Sequence, residues 1–277
     1  MVNTKEKVNN MIAHFFDLDY TLWKTSARTW IIDKNNPDNY IIRINSNEDQ
    51  LLTTGYYKND NLPIYYNGIK AWLSKTLYDK ILKKKPNIIL DNIGISHREY
   101  SDAQLIENQT KDFILYIHNI KHLNNQTIHI LTARPSMDNH KNLIDELKLS
   151  LNAFNIEIGK QYFVNDNKYI DVNGSSAERK CLILLQHLIG YKIEGNEFVP
   201  ILVDKYEDIQ FYDDDDLNVI ACQNINKYFN NILTQTPDWL VEKITNRVNL
   251  NDLKLTINQV TSNIINPFIQ QTIKIKI

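Results

Sequence analysis

Apolar residues in this chain follow two rhythms. Short apolar runs bounded by polar turns read as strands, and stretches with apolar residues three and four apart read as helices. The first strand spans about 11–18, Met-Ile-Ala-His-Phe-Phe-Asp-Leu, and a second runs Thr127-Ile-His-Ile-Leu-Thr-Ala. Between them, 102–123 reads as a helix with Ile106, Phe113, Ile117 and Ile120 on one face, and Ser101-Asp102 suits its N-cap. Asn139–Leu151 reads as another helix, with Leu143, Ile144, Leu147 and Leu151 apolar. Ser175–Leu188 reads as a third, opening just after Gly174 with good capping residues. A strand follows at Ile209–Asp213, Val219–Ala221 suits one more, and Glu194-Gly-Asn-Glu reads as an exposed turn. Strands joined through helices predict an α/β layered fold with parallel pairing by right-handed crossovers.

Residues 24–100 break that rhythm. Trp30-Ile-Ile-Asp and Tyr40-Ile-Ile-Arg-Ile, separated by Asn35-Asn-Pro-Asp, predict a hairpin with a longer turn, and Asn67–Lys85 reads as a helix ending at Pro86. The division expected is a core of 1–23 and 101–235, an insertion of 24–100, and a C-terminal segment of 236–277. The insertion reads as a cap or lid, against an elaborated edge of one domain. The C-terminal segment predicts helices and a strand packed on the core, or an interaction tail.

Composition narrows the class. With 277 residues, 43% hydrophobic and 23% charged, the chain can bury one large core carrying an insertion. A formal net charge of −2 argues against a protein that coats nucleic acid by bulk charge, though not against a local basic patch. Cys181 and Cys222 lie in apolar segments without metal-ligand spacing and read as small buried hydrophobes. The polar first residues predict no signal peptide, and no segment approaches the ~20 apolar residues of a membrane span. A soluble cytoplasmic protein with no membrane partner is the expectation.

Candidate chemistry sits at the ends of the predicted strands. Asp17-x-Asp19-x-Thr21 follows the first apolar strand, so its two carboxylates point the same way from alternate positions. There they can hold a divalent cation, and one of them can attack phosphorus; an acidic turn is the competing reading. Thr132, at the end of the second strand, can hydrogen-bond a phosphate oxygen, helped by backbone N–H groups that follow; taken alone it reads first as a strand-end cap. Lys180, early in the helix after Gly174, can balance phosphate and carboxylate charge, with Arg179 its competitor; a solvated surface lysine is the competing reading. Phe211-Tyr212-Asp213-Asp214-Asp215-Asp216 ends a strand in four consecutive acids, which repel unless solvated or holding a cation; Mg2+ is the economical one.

These four elements, in this order, resemble the haloacid dehalogenase (HAD) superfamily of phosphatases. The matches are Asp17-Leu18-Asp19-Tyr20-Thr21, Thr132, Lys180 and Asp213-Asp214, over roughly residues 11–225, with the insertion where a type-1 cap would lie. The resemblance implies a three-layer Rossmann-like parallel sheet with a cap insertion after the first strand. It also implies an Mg2+-dependent phosphomonoester hydrolase working through an aspartyl-phosphate. Asp17 would be the nucleophile and Asp19 the acid and then the base. Thr132, Ala133 and Lys180 would bind the phosphate. The metal set would be Asp17, Asp19 through its backbone carbonyl, and Asp214, with Asp213 supporting the metal or orienting Lys180. Tyr20 occupies a position that is often Gly in the superfamily, with its side chain expected to point away from the pocket.

The substrate is less defined. Thr54-Gly55-Tyr56-Tyr57, Trp72-Leu73-Ser74, Thr132-Ala133-Arg134 and the Phe-Tyr-Asp-Asp of the last motif resemble the polynucleotide 3'-phosphatases and Swiss-army-knife RNA-repair type of HAD domain. Trp30, Tyr56, Tyr57, Tyr65, Tyr66 and Trp72, with Lys80 and Lys83–Lys85, suit base stacking and backbone contact; a small self-contained core with a solvated helix face is the competing reading. The phosphorylated partner would be a polynucleotide end. A nucleotide or other small phosphomonoester is the alternative, and a catalytically silent scaffold that binds a partner is the alternative of another class.

Overall fold

A computed structural model of the protein describes residues 12–22, 28–44, 62–66, 69–96, 126–134, 158–164, 175–194, 197–247, 253–260 and 268–275, with short pieces at 51–52, 99, 145 and 148–149. Its main element is a six-stranded, mostly parallel sheet. The insertion supplies β2 (Trp30–Asp33), β3 (Asn36–Arg43), β4 (Leu51–Leu52), β5 (Leu62–Tyr66), β6 (Ile69–Leu73), helix α1 (Lys75–Lys84) and β7 (Ile93–Ser96). The main sheet is built from β1 (Ile12–Phe16), β8 (Gln126–Thr132), β9 (Ile158–Phe163), β12 (Asp208–Asp213), β13 (Lys254–Val260) and β14 (Phe268–Lys274). A small hairpin, β10 (Tyr191–Glu194) with β11 (Glu197–Leu202), stands apart from it. Among the described residues, the α-helices after β9 are α2 (Ser176–Ile189), α3 (Asp216–Gln223), α4 (Ile225–Gln235) and α5 (Asp238–Arg247).

Strand order in the main sheet is β14-β13-β12-β1-β8-β9. All neighbours are parallel except β13 and β14, which pair antiparallel at one edge. From central β1 the chain moves outward through β8 and β9, then returns to the other side of β1 as β12 and moves outward again. Beside β1, therefore, the strand order reverses, and in open α/β sheets ligands bind outside the carboxyl ends at such a switch point.

The packing follows from strand alternation. Ala13 and Phe15 of β1, Ile209 and Phe211 of β12, and Leu255 and Ile257 of β13 join one apolar core with residues of α2 through α5. Helix α2 is nearly all buried and is locally well specified. The Ser175 side chain accepts from the Glu178 N–H and the Glu178 side chain accepts from the Ser175 N–H, a reciprocal capping box. At the other end Gly190 takes φ 75°, the left-handed cap that only glycine adopts freely. Among the described residues, no helix is long and apolar enough to cross a membrane.

The insertion makes two three-stranded sheets, β3-β2-β7 and β4-β6-β5, and has a separate core of aliphatic residues including Ile31, Ile64, Leu73, Leu77, Ile81 and Ile93. The hairpin expected at 30–44 is present, with a tighter turn than predicted and two register irregularities. The helix expected over Asn67–Lys85 begins only at Lys75. Residues 69–73 are instead strand β6, where Ala71 and Leu73 are buried at a period of two, and Ser74 caps the helix by accepting from the Leu77 N–H. Val219–Ala221 is helical, not a strand: the Asp215 side chain accepts from the Leu217 N–H and starts α3 there. The helix expected over 102–123 lies outside the described residues, as does that over 139–151 except for helical 145 and 148–149. Residues 238–247 are helical, and 254–274 supply two strands of the main sheet. Both cysteines are buried free thiols.

Candidate active site

Sequence-distant groups meet at the switch point. Strand β1 delivers Asp17, whose N–H donates to the Tyr212 carbonyl at 2.9 Å and so continues the β1–β12 ladder to the first carboxylate. Strand β12 delivers Asp213 one pairing position further along. Helix α2 brings Lys180 down between them: its Nζ donates to Asp17 Oδ1 and to Asp213 Oδ2, both at 2.8 Å. All three are buried, with Lys180 at 1% exposure. Arg179, the competing cation, turns elsewhere and donates to the Val164 carbonyl at 3.3 Å. One residue of register on α2 therefore decides which cation enters the site.

Asp213 is held on every side. Its Oδ1 accepts from the Asp215 N–H at 3.0 Å and from the Asn218 amide at 2.9 Å, and the same amide lies 3.0 Å from Oδ2. This fixes the carboxylate that orients Lys180. Asp214 turns toward the β1 side, where Thr21 Oγ1 donates to its Oδ1 at 3.3 Å. Carboxylate oxygens of Asp17, Asp213 and Asp214 lie within 4.8 Å of one another.

Asp19 faces a different partner. Arg134 donates to both its oxygens, from Nε to Oδ2 at 2.8 Å and from a terminal nitrogen to Oδ1, in a bidentate pair. Arg134 is buried and follows β8 by two residues. Its backbone N–H donates to Thr132 Oγ1 at 3.2 Å, so the threonine closes the turn that places the guanidinium and keeps its own hydroxyl proton to donate. Thr132 is fully buried at the end of β8, and half-buried Ala133 can offer only backbone groups.

The electrostatics divide the carboxylates. Burial pushes Asp17 well above the usual carboxylate range; Lys180 opposes this, and Asp213, Asp19 and Asp214 add to it. Burial and then Asp213 push Asp214 up to about 7 against Lys180. Burial and Asp213 raise Asp215. For Lys180, burial disfavours the ammonium, but Asp17 and Asp213 outweigh it and hold the group protonated above the ordinary lysine range. Burial and crowding thus disfavour full ionisation of the three carboxyls, whose oxygens lie close enough together that they could hold a hard cation.

Of the residues singled out in the sequence, Asp17, Lys180, Asp213 and Asp214 come together in one cluster, with Thr132 at the end of the strand beside β1. The Asp19 side chain is paired with Arg134 and is not one of the three clustered carboxylates. Arg134 and Asn218 are the additions from the structure. The only local signal for Arg134 is its place two residues after a strand-end threonine, and for Asn218 its place five residues after Asp213. No protein-family model, no curated protein and no solved structure matches the chain.

Proposed function

We propose that the protein is a divalent-cation-dependent phosphomonoester hydrolase of the HAD type, working through an aspartyl-phosphate on Asp17. The observation that carries this reading is the buried Lys180 bridging Asp17 and Asp213 beside Asp214 at the sheet's switch point. In it, β1, β8, β9, β12 and β13 form the HAD core, and 24–100 is the cap inserted after the first strand.

Asp17 attacks phosphorus while Asp19 gives a proton to the leaving oxygen. Asp19 then takes a proton from the water that opens the acyl phosphate, so one group serves both halves. Lys180 balances the charge of Asp17 and the incoming phosphoryl group, and Thr132 donates its hydroxyl to a phosphoryl oxygen. Mg2+, held by Asp17 and Asp214 with the Asp19 carbonyl, would supply screening of the phosphate's negative charge. Both oxygens of Asp213 are already engaged, which leaves it the role of orienting Lys180.

Features of the insertion favour polynucleotide ends over small phosphomonoesters. Among its described residues, Tyr65 is 59% exposed and Tyr40 38% exposed, and half-buried Trp30 meets the Tyr40 ring at 5.2 Å and lies under Arg43 at 6.0 Å. Exposed rings next to a cation suit base stacking along a strand.

The test is an Mg2+-dependent phosphatase screen of 3'-phosphorylated oligonucleotides against mononucleotides, with Asp17→Asn as control. Turnover that Asp17→Asn abolishes, higher on the oligonucleotide and salt-sensitive, is expected. Wild-type turnover in Asp17→Asn would refute the nucleophile, and no turnover on either substrate would favour the silent scaffold.

A further inference from the structure

Tyr20 stands in the turn between Asp19 and Thr21 with φ 57°, the one non-glycine residue at positive φ among the described residues. An L side chain in the left-handed region crowds the backbone, and glycine would take the same conformation without that strain. The turn is tight, with the Leu22 N–H donating to the Leu18 carbonyl at 2.9 Å and Thr21 fully buried. The tyrosine side chain is thus held at a position where the backbone favours having none.

Its contacts lead out of the pocket and into the insertion. The phenol oxygen accepts a hydrogen bond from Arg28, whose guanidinium lies 5.7 Å from the ring centroid. The backbone N–H of Arg28 donates to Glu99 Oε2 at 3.0 Å. Glu99 also accepts from the Trp30 indole and, at 2.9 Å, from Arg43. Arg28 lies two residues before β2 and Glu99 three residues after β7, with Arg43 the last residue of β3. One carboxylate therefore ties the three strands of the β3-β2-β7 sheet together at one end, the side where the chain enters and leaves the insertion.

We infer that Tyr20 is a positioning residue that latches the carboxylate turn to the base of the insertion through Arg28 and Glu99. The contact stands on the geometry alone, while its kinetic consequence rests on the phosphatase reading. The turn that Tyr20 fastens carries Asp19 on one side and Thr21, the donor to Asp214, on the other. Displacement of the insertion's base is transmitted to both, so a substrate engaging the insertion sets the geometry of the acid/base.

Tyr20→Gly removes the latch and relieves the backbone; Tyr20→Phe keeps the ring against the guanidinium and loses only the hydroxyl contact. Hydrogen exchange followed residue by residue reads the latch without any activity. In Tyr20→Gly, amides of β2 and β7 are expected to exchange about tenfold faster while those of β12 are unchanged, with Tyr20→Phe between wild type and Tyr20→Gly. In turnover, kcat of Tyr20→Gly is expected to fall about tenfold or more, with KM kept within about twofold. Adding Glu99→Gln to Tyr20→Gly should cost little more, because both act on one connection. Unchanged exchange in β2 and β7 would overturn the latch, and so would an equal rise across β2, β7 and β12, which marks lost global stability. If the wild type turns nothing over, the phosphatase reading fails and the exchange pattern still decides the latch.

Discussion

Lys180→Met isolates the central electrostatic arrangement. Methionine keeps most of the lysine's volume and removes the ammonium that donates to Asp17 and Asp213 at 2.8 Å each. Removing one partner of a buried pair costs about 3–5 kcal/mol, because the remaining charge is stranded. Here two carboxylates are stranded together, close to a third. Asp17, raised by burial with Lys180 as the opposing influence, escapes part of that penalty by taking a proton. The loss should therefore fall in the lower part of the range, about 3–4 kcal/mol. For a chain of this size, at about 2–4 °C per kcal/mol, the melting temperature should drop by roughly 6–16 °C. Circular dichroism melts, run with a chelator and again with millimolar magnesium, measure it. Magnesium should recover more in Lys180→Met than in the wild type, since a cation in the acidic cluster takes over the charge balance. A drop under about 2 °C would refute the reasoning. So would an equal drop when Asp17→Asn is already present, because one fewer stranded carboxylate must lower the penalty.

Arg134→Lys keeps the charge but cannot hold both oxygens of Asp19 in one planar fork, so under the proposed reaction kcat should fall roughly 10- to 100-fold, with the melting temperature falling less than in Arg134→Ala. Burial holds His129 and His187 each down at about 4, with Lys160 adding to the shift and Asp204 opposing it; for His129 the neighbouring His187 adds too. Their neutral forms are fixed, His129 accepting from the Lys160 N–H and facing the Tyr206 hydroxyl, His187 lying between the Asp204 carbonyl and the Tyr162 hydroxyl. Because each folded pKa is depressed, the stability they contribute is complete above 6.5, erodes as pH falls and is lost by about 4, reaching a loss of about 2 kcal/mol per histidine at pH 5. Urea unfolding at neutral pH and at pH 5 should show His187→Gln losing less than the wild type; equal losses would sink the account. Gly159→Ala places a Cβ 2.8 Å from the His129 ring and should destabilise by about 1–3 kcal/mol in the same urea assay, whereas an unchanged midpoint would mean the ring moves freely.

What could be read in advance was whatever the sequence states locally. Ser175 and Glu178, three apart before an apolar run, specify the start of α2 through their side chains alone, and Gly190 specifies its end. Asp17 directly follows an apolar strand, and Thr132 and Asp213 end strands of their own. The insertion was harder because its strands are short and its periods compete. Ala71, Leu73, Leu77 and Ile81 are all buried, and four apolar residues at spacings of two and four suit a helix until Ser74 is recognised as its cap. Strands β10 and β11 are likewise short, and only their mutual pairing identifies them. The pairing of Arg134 with Asp19 was illegible for another reason. An arginine in a loop is by default solvated, and its partner Asp19 lies 115 residues earlier, so only the adjacency of β1 and β8 brings them together.

That adjacency explains how two aspartates two residues apart come to differ. Alternate residues leaving a strand face one pocket, and pattern alone gives Asp17 and Asp19 equivalent positions. The neighbouring strands break the equivalence. Strand β12 on one side brings acids and, with α2, the lysine that engages Asp17; strand β8 on the other brings the guanidinium that engages Asp19. While Arg134 occupies both oxygens of Asp19, neither is placed to give a proton to a leaving group. Under the proposed reaction, Asp19 becomes an acid only when the guanidinium yields one of those oxygens and that oxygen takes up a proton from water. An entering phosphoryl group is a strong competitor for the guanidinium, since it offers the same bidentate geometry with more charge. Substrate arrival and acid release are then one event, and the division of labour between the two carboxylates is set by which neighbouring strand each one meets.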